Sequence, residues 1–174
     1  PFFCFFFVLS VISQLKNVIT SMSDTNKSNL LLCITGSIAA YKSVDLARLF
    51  TKSNFDVRVI MTESAKEFIT PLTLQAISGN QIHENLLDVE AERAMGHIEL
   101  AKWADLILVA PCTAETISRL SQGRADDLLG AVILASQARV FLAPAMNMNM
   151  WSNETTQKNV EHLSSTGIDL IGPS

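Results

Sequence analysis

Leu30-Leu31-Leu32-Cys33-Ile34-Thr35, followed by Gly36-Ser37-Ile38, decides the fold. A continuous apolar run this short, stopped by a glycine, reads as a strand buried on both faces. The chain then alternates. Ile38 to Ser53 spaces Ala40, Val44, Leu46, Ala47 and Phe50 as one helix, and Phe55 to Met61 reads as a second strand. Glu63 to Ile69 and Leu72 to Ile77 read as helical, divided by Pro71 and stopped at Ser78-Gly79-Asn80. Gly96 to Ala104 reads as a short helix, and Asp105 to Ala110 as a third core strand ended by Pro111. Helices over Ala114 to Ser121 and Asp126 to Ala135 precede an apolar strand, Val140 to Ala143. A last helix, Glu154 to Ser165, stops at Gly167, and Ile168 to Ile171 is a final short strand. Strands buried on both faces and alternating with helices imply an α/β fold: a Rossmann-like, doubly wound parallel sheet in a single domain.

The 174 residues suffice for one domain with a proper core and are too few for two comfortable ones. A net charge of −4, with thirteen Lys and Arg scattered and no basic stripe, argues against a nucleic-acid partner. Cys4, Cys33 and Cys112 are odd in number and far apart, and His83, His97 and His162 show no metal spacing. Neither a disulfide framework nor a metal site is expected, and the pattern suits a reducing cytoplasm. Residues 1–21 stand apart. Their apolar, aromatic run PFFCFFFVLSVI is shorter than the ~20 residues of a membrane-spanning helix, and no basic segment or cleavage site marks a signal peptide. The chain opens on Pro1, whereas Met22 precedes the polar SDTNKSN. The expectation is therefore a leader over 1–21 that lies outside the fold, with the domain over 22–174. A short membrane anchor is the alternative.

Open α/β sheets bind ligands beyond the carboxyl ends of their strands, so chemistry is sought there. Gly36-Ser37-Ile38 forms the first strand-to-helix turn, where free N–H groups and a glycine suit a phosphate; a simple helix cap is the blander reading. Thr62 and Ser64 end the second strand, and Thr113-Ala114-Glu115-Thr116 follows the third. Capping explains each singly, but hydroxyls at three strand ends on one edge can line a nucleotide-shaped groove. Asp126 and Asp127 are adjacent and cannot face each other on a helix, so they read as caps of a helix N-terminus. His97 alone reads as structural or solvated, and Trp103 as core. The stretch PAMNMNMW, Pro144 to Trp151, follows the fourth long strand. Asn147 among the thioethers of Met146, Met148 and Met150 can hold one polar ligand group in a dry pocket, and packing alone is the competing account.

PAMNMNMW is similar to the PxMNxxMW signature of the flavin-dependent cysteine decarboxylases. LLCITGSIAAYK, DVRVIMTESAKEFITPLTLQAISGN and MGHIELAKWADLILVAPCTAETISRLSQGRADDLL align with that family in the same order. The resemblance runs from about Leu30 to Pro173, and within the family it is greatest to the phosphopantothenoylcysteine decarboxylases. It implies FMN as cofactor, with Gly36, Ser37 and Ile38 at its phosphate end, helped by Thr62 and Ser64. Thr113 to Thr116 matches a flavin loop, with Glu115 where the family's usual Asn stands, and Ala145 and Met146 lie by the flavin. His97 matches the catalytic histidine, Asn147 the residue holding the substrate carboxylate, and Met150 belongs to the same motif. The implied partners are 4'-phosphopantothenoylcysteine and other copies of the chain: a homo-oligomer built from trimers, with the site at the subunit interface.

The implied reaction belongs to coenzyme A biosynthesis. It oxidises the cysteinyl thiol to a thioaldehyde, releases CO2 and re-reduces the product to 4'-phosphopantetheine. A carboxylate cannot leave as CO2 until its electrons have a sink, which a neighbouring C=S supplies. Proton transfer from an ordinary thiol (pKa ~8.5) to an ordinary imidazole (pKa ~6.5) costs only about 2.7 kcal/mol, so a histidine base is adequate. The family continues beyond this point into a flap whose cysteine serves the final reduction. None of Cys4, Cys33 and Cys112 matches it, so this stretch alone is expected to bind FMN and oxidise substrate without completing turnover. Other readings are a peptidyl-cysteine decarboxylase, a flavin prenyltransferase, a non-catalytic regulatory subunit and a plain Rossmann-like binding domain. Asn147 argues against the prenyltransferase, which lacks the PxMNxxMW pattern, and the missing acidic tails argue against the regulatory subunit.

Overall fold

The computed structural model describes residues 11, 13, 28–86 and 96–172. β1 (Ser28–Ile34) divides its side chains between two apolar layers: Leu30, Leu32 and Ile34 enter one, Leu31 and Cys33 the other. Successive strand residues point to opposite faces, so a strand covered on both must be apolar throughout. β2 (Phe55–Met61) sends Phe55, Val57, Val59 and Met61 into the first layer and Ile60 into the second. β3 (Ile82–His83), β4 (Leu106–Cys112), β5 (Arg139–Pro144) and β6 (Asp169–Leu170) complete a parallel sheet in the order β3-β2-β1-β4-β5-β6. This is the doubly wound order, as the sequence implied.

The first layer lies under α1 (Ser43–Lys52), α2 (Glu63–Lys66) and α3 (Pro71–Ser78), which contribute Leu46, Phe50, Ala65 and Leu74. Phe50 and Phe55 meet edge to face at 5.4 Å, a contact worth about 0.5–1.5 kcal/mol beyond its buried area. The second layer lies under α4 (His97–Trp103), α5 (Ala114–Ser121) and α6 (Leu128–Ala135). The single turn α7 (Met148–Trp151) and then α8 (Glu154–Ser165) follow β5, and Leu163 of α8 joins this layer. Trp103 packs there under the Arg58 guanidinium, 4.6 Å from its ring centre.

Four details differ from the sequence reading. The helix expected from Ile38 divides at Ser43: a 3-10 turn over Ile38–Lys42 precedes α1, and the buried Ser43 hydroxyl donates to the Ala110 carbonyl (2.7 Å). Pro71 opens α3 instead of interrupting a helix, because the first turn needs no N–H partner. β4 continues through Pro111 to Cys112, and its pairing with β5 shifts register between Val109 and Cys112, where a residue without N–H is accommodated. β3 was not foreseen, since two residues carry no periodicity. Its His83 is buried, and that burial, with the charge on Arg58, lowers the imidazole pKa.

The leader over 1–21 lies outside the described residues except for Val11 and Ser13, and Val11 is buried in the first layer. Among the described residues no helix is long and apolar enough to cross a membrane.

Candidate functional site

Strand order reverses between β1 and β4, which opens a crevice at their carboxyl ends. The buried Thr35 hydroxyl spans its floor, donating to the Pro111 carbonyl (2.7 Å) and accepting from the Thr113 N–H (3.1 Å). The next loop is tied on in the same way, the Ala145 N–H donating to the Cys112 carbonyl (2.9 Å). The ends of β1, β4 and β5 therefore form one connected edge.

On the other side of β1, the Thr62 N–H donates to the Ile34 carbonyl (3.1 Å), and the Thr62 and Ser64 hydroxyls lie 3.3 Å apart. Gly36 sits directly against Ser64. A Cβ at Gly36 would fall 2.5 Å from both Cβ and Oγ of Ser64, so only glycine fits without displacement. Ser37 follows, its Oγ accepting from the Ala39 N–H (3.3 Å) to cap the 3-10 turn that begins at Ile38. A backbone without side chain at Gly36, set against Ser64 and next to the hydroxyl-bearing Ser37 and Thr62, makes a cradle that can hold an anionic ligand group. Gly36→Ala is expected to destabilise the fold by about 1–3 kcal/mol through overpacking. Adding Ser64→Gly removes both atoms at 2.5 Å and should restore most of the loss. Thermal melts of the parent and the two variants check this.

Thr113 caps α5: its Oγ1 accepts from the Thr116 N–H (3.2 Å) and lies 2.9 Å from the Thr116 hydroxyl. Ala114 and Glu115 occupy the first turn, and Glu115 pairs with Arg119 one turn later at 3.5 Å. Asp127 caps α6 through the Gly130 N–H (2.8 Å), which bears out the capping role read from the sequence. Asn147 caps α7, its Oδ1 accepting from the Asn149 N–H (2.8 Å). PAMNMNMW is thus a loop closed by a helical turn, and that turn presents Met148 and Met150 outward, 67% and 49% exposed. Of the three thioethers only Met146 packs inward, so the dry pocket expected around Asn147 is not formed by this chain alone.

His97 is the first residue of α4. A helix that leads into a parallel strand begins at the carboxyl edge of the sheet, which puts His97 on the side of the crevice. Its Nδ1 is buried with no hydrogen-bond partner among the described residues. No hydrogen bond joins it to the cradle or to Asn147 among those residues. The cradle loops and the Asn147 loop are thus brought together along one edge, and His97 stands at the same edge with no hydrogen bond to them among the described residues.

Cys33 and Cys112 are buried, and burial pushes both thiols far above their ordinary pKa, which keeps them protonated and inert. Cys4 lies outside the described residues. Thr35, Ser43 and Arg119 were missed by the sequence reading. A hydroxyl at the last position of an apolar strand was the one available signal for Thr35.

A sequence profile of the family described as Flavoprotein matches residues 18–174. The coenzyme A biosynthesis bifunctional protein CoaBC of Haemophilus influenzae is 54% identical over 149 residues, covering 86% of this chain and 37% of that protein. CoaBC of Escherichia coli K12 is 51% identical over 144 residues, covering 83% of this chain and 36% of that protein. The chain therefore spans a little over a third of the length of these curated relatives. Among solved structures, a PPC decarboxylase mutant complexed with pantothenoylaminoethenethiol aligns with a TM-score of 0.74 at 33% identity, covering 86% of this chain and 84% of that one.

Proposed function

The chain belongs to the Flavoprotein family, and from that premise we propose that it binds FMN and acts in the decarboxylation of 4'-phosphopantothenoylcysteine to 4'-phosphopantetheine. The cradle carries this proposal: Gly36 packed against Ser64, one strand from the switch point, suits the phosphate end of FMN, and its hydroxyls come from the neighbouring ends of β1 and β2. Gly36, Ser37, Ile38, Thr62 and Ser64 hold that end. Thr113 to Thr116, with Ala145 and Met146, flank the flavin ring. When bound, FMN supplies a reversible two-electron oxidation of the substrate, without which the carboxylate has no electron sink.

His97 takes the thiol proton, a role that fits a buried ring nitrogen with no partner among the described residues. Asn147 keeps Oδ1 on the Asn149 N–H, which leaves its Nδ2 to donate to the substrate carboxylate. A neutral donor orients the carboxylate without the ground-state stabilisation that a cation would add. Met150 lines the substrate side.

The edge bearing this site carries Ile38, Phe68, Leu72, Ile98, Met148 and Met150 exposed, with Ile38 and Leu72 more than 70% accessible. Such a patch supports a homo-oligomer of trimeric units that closes the site between chains. His97 of one chain then serves Asn147 of its neighbour. Buried, protonated thiols fit a cytoplasmic setting.

The test is a visible absorption spectrum of the purified chain, before and after anaerobic addition of 4'-phosphopantothenoylcysteine. Bound flavin that bleaches on addition is the expected result. Bound flavin that does not change would overturn the substrate, and no flavin after reconstitution with FMN would overturn the cofactor as well.

A further inference from the structure

Glu115 puts a carboxylate in the first turn of α5, in the segment assigned to the flavin loop. Left free, it would swing toward the N-terminal end of its own helix, which is the end that faces the crevice. A negative charge there competes for the helix N–H groups and repels an electron-rich or anionic ligand. The structure turns it the other way. Arg119, one turn along α5, lies 3.5 Å from Glu115 through Nε, an ion pair without hydrogen-bond geometry, so Nε is buried with no hydrogen-bond acceptor among the described residues. Arg119 is itself fixed from the far side: its Nη2 is 3.0 Å from Asp126 and 2.8 Å from Asp127. Asp127 is held in turn, because its second oxygen caps α6 by accepting from the Gly130 N–H (2.8 Å). An isolated surface ion pair has little holding power, but a mostly buried guanidinium shared by three carboxylates, one of them a helix cap, is a fixed anchor.

We infer that Arg119 is a positioning residue for the cofactor loop: it draws Glu115 back along α5 and thereby allows an acid to occupy this position beside the ligand. The inference rests on the FMN reading and deepens it. It predicts that positions 115 and 119 are energetically coupled in cofactor binding.

The experiment measures FMN affinity by quenching of flavin fluorescence for the parent chain, Arg119→Met, Glu115→Gln and the double variant, with a thermal melt of each apoprotein. Arg119→Met should weaken FMN binding about tenfold in the parent background and less than about twofold in the Glu115→Gln background. The melting temperature should fall in both backgrounds and by nearly the same amount, because the pairs with Asp126 and Asp127 are lost in each and the longer pair with the exposed Glu115 adds little. Arg119→Lys should recover part of the affinity, and if Arg119→Met does not fold, Arg119→Lys with and without Glu115→Gln reads the same coupling. An Arg119→Met protein that binds as the parent does, or a loss of equal size in both backgrounds, would overturn the inference. A parent chain that takes up no FMN removes the cofactor reading itself, and the inference with it.

Discussion

His97→Gln is expected to slow substrate-dependent bleaching of the bound flavin by about 10²–10⁴-fold, the range a positioned general base contributes. The ring stands at the head of α4 on the crevice side, and its Nδ1 is buried with no hydrogen-bond partner among the described residues. A buried polar atom without a partner is costly, and such atoms persist where a ligand completes them. Glutamine keeps a polar side chain of similar reach but cannot accept a proton near neutral pH. FMN content and melting temperature should therefore stay close to those of the parent while the rate falls. Anaerobic stopped-flow absorbance after mixing with substrate separates these quantities. A rate unchanged within about threefold would remove His97 from the proton transfer, because even the low end of the expected range is larger than that.

Asn147→Asp should cost about a hundredfold or more in the second-order rate constant of substrate-dependent flavin bleaching, with almost no change in stability. Asp and Asn are nearly equivalent as N-caps, and the Oδ1 that accepts from the Asn149 N–H is preserved. The other terminal atom changes from an N–H donor to an anionic oxygen. It would then face the substrate carboxylate as a like charge in place of a hydrogen bond to a charged group, itself worth about 1.5–3 kcal/mol. Anaerobic single-turnover absorbance at several substrate concentrations, beside a thermal melt, resolves the two effects. If that rate constant held while the melt stayed constant, Asn147 would be a cap and nothing more. If both fell together, its role would be structural.

How far these elements were legible follows from how local their causes are. β1, β4 and β5 were readable because burial on both faces leaves an apolar run, β2 because Phe55, Val57 and Val59 alternate with Asp56 and Arg58 before Ile60 and Met61, and α8 because Gly167 ends it. β3 was not, since its two residues are strand only through pairing with Val59 and Ile60. Pro111 looked like a stop because proline lacks a donor. Whether a sheet tolerates it depends on a register shift against β5, a relation between strands that no window of sequence contains. In the site, Ser37, Thr113 and Asp127 could be named as caps because a cap and its N–H lie two or three residues apart. The tight approach of Gly36 to Ser64 joins residues 28 positions apart across two strands, and Arg119 reaches Asp126 and Asp127 around a loop. The thioether pocket was misjudged because spacing shows that Met148 and Met150 share a turn, not which way the turn faces.

Thr35 bears on the cost of binding. One hydroxyl fastens the end of β1 to both Pro111 and Thr113, so the floor of the crevice has little freedom left to lose when a ligand arrives. Ordering those loops is a cost met once, during folding, and not again at every encounter. A ligand held there keeps most of its contact energy as net affinity, and the walls need not close around it before it is oriented.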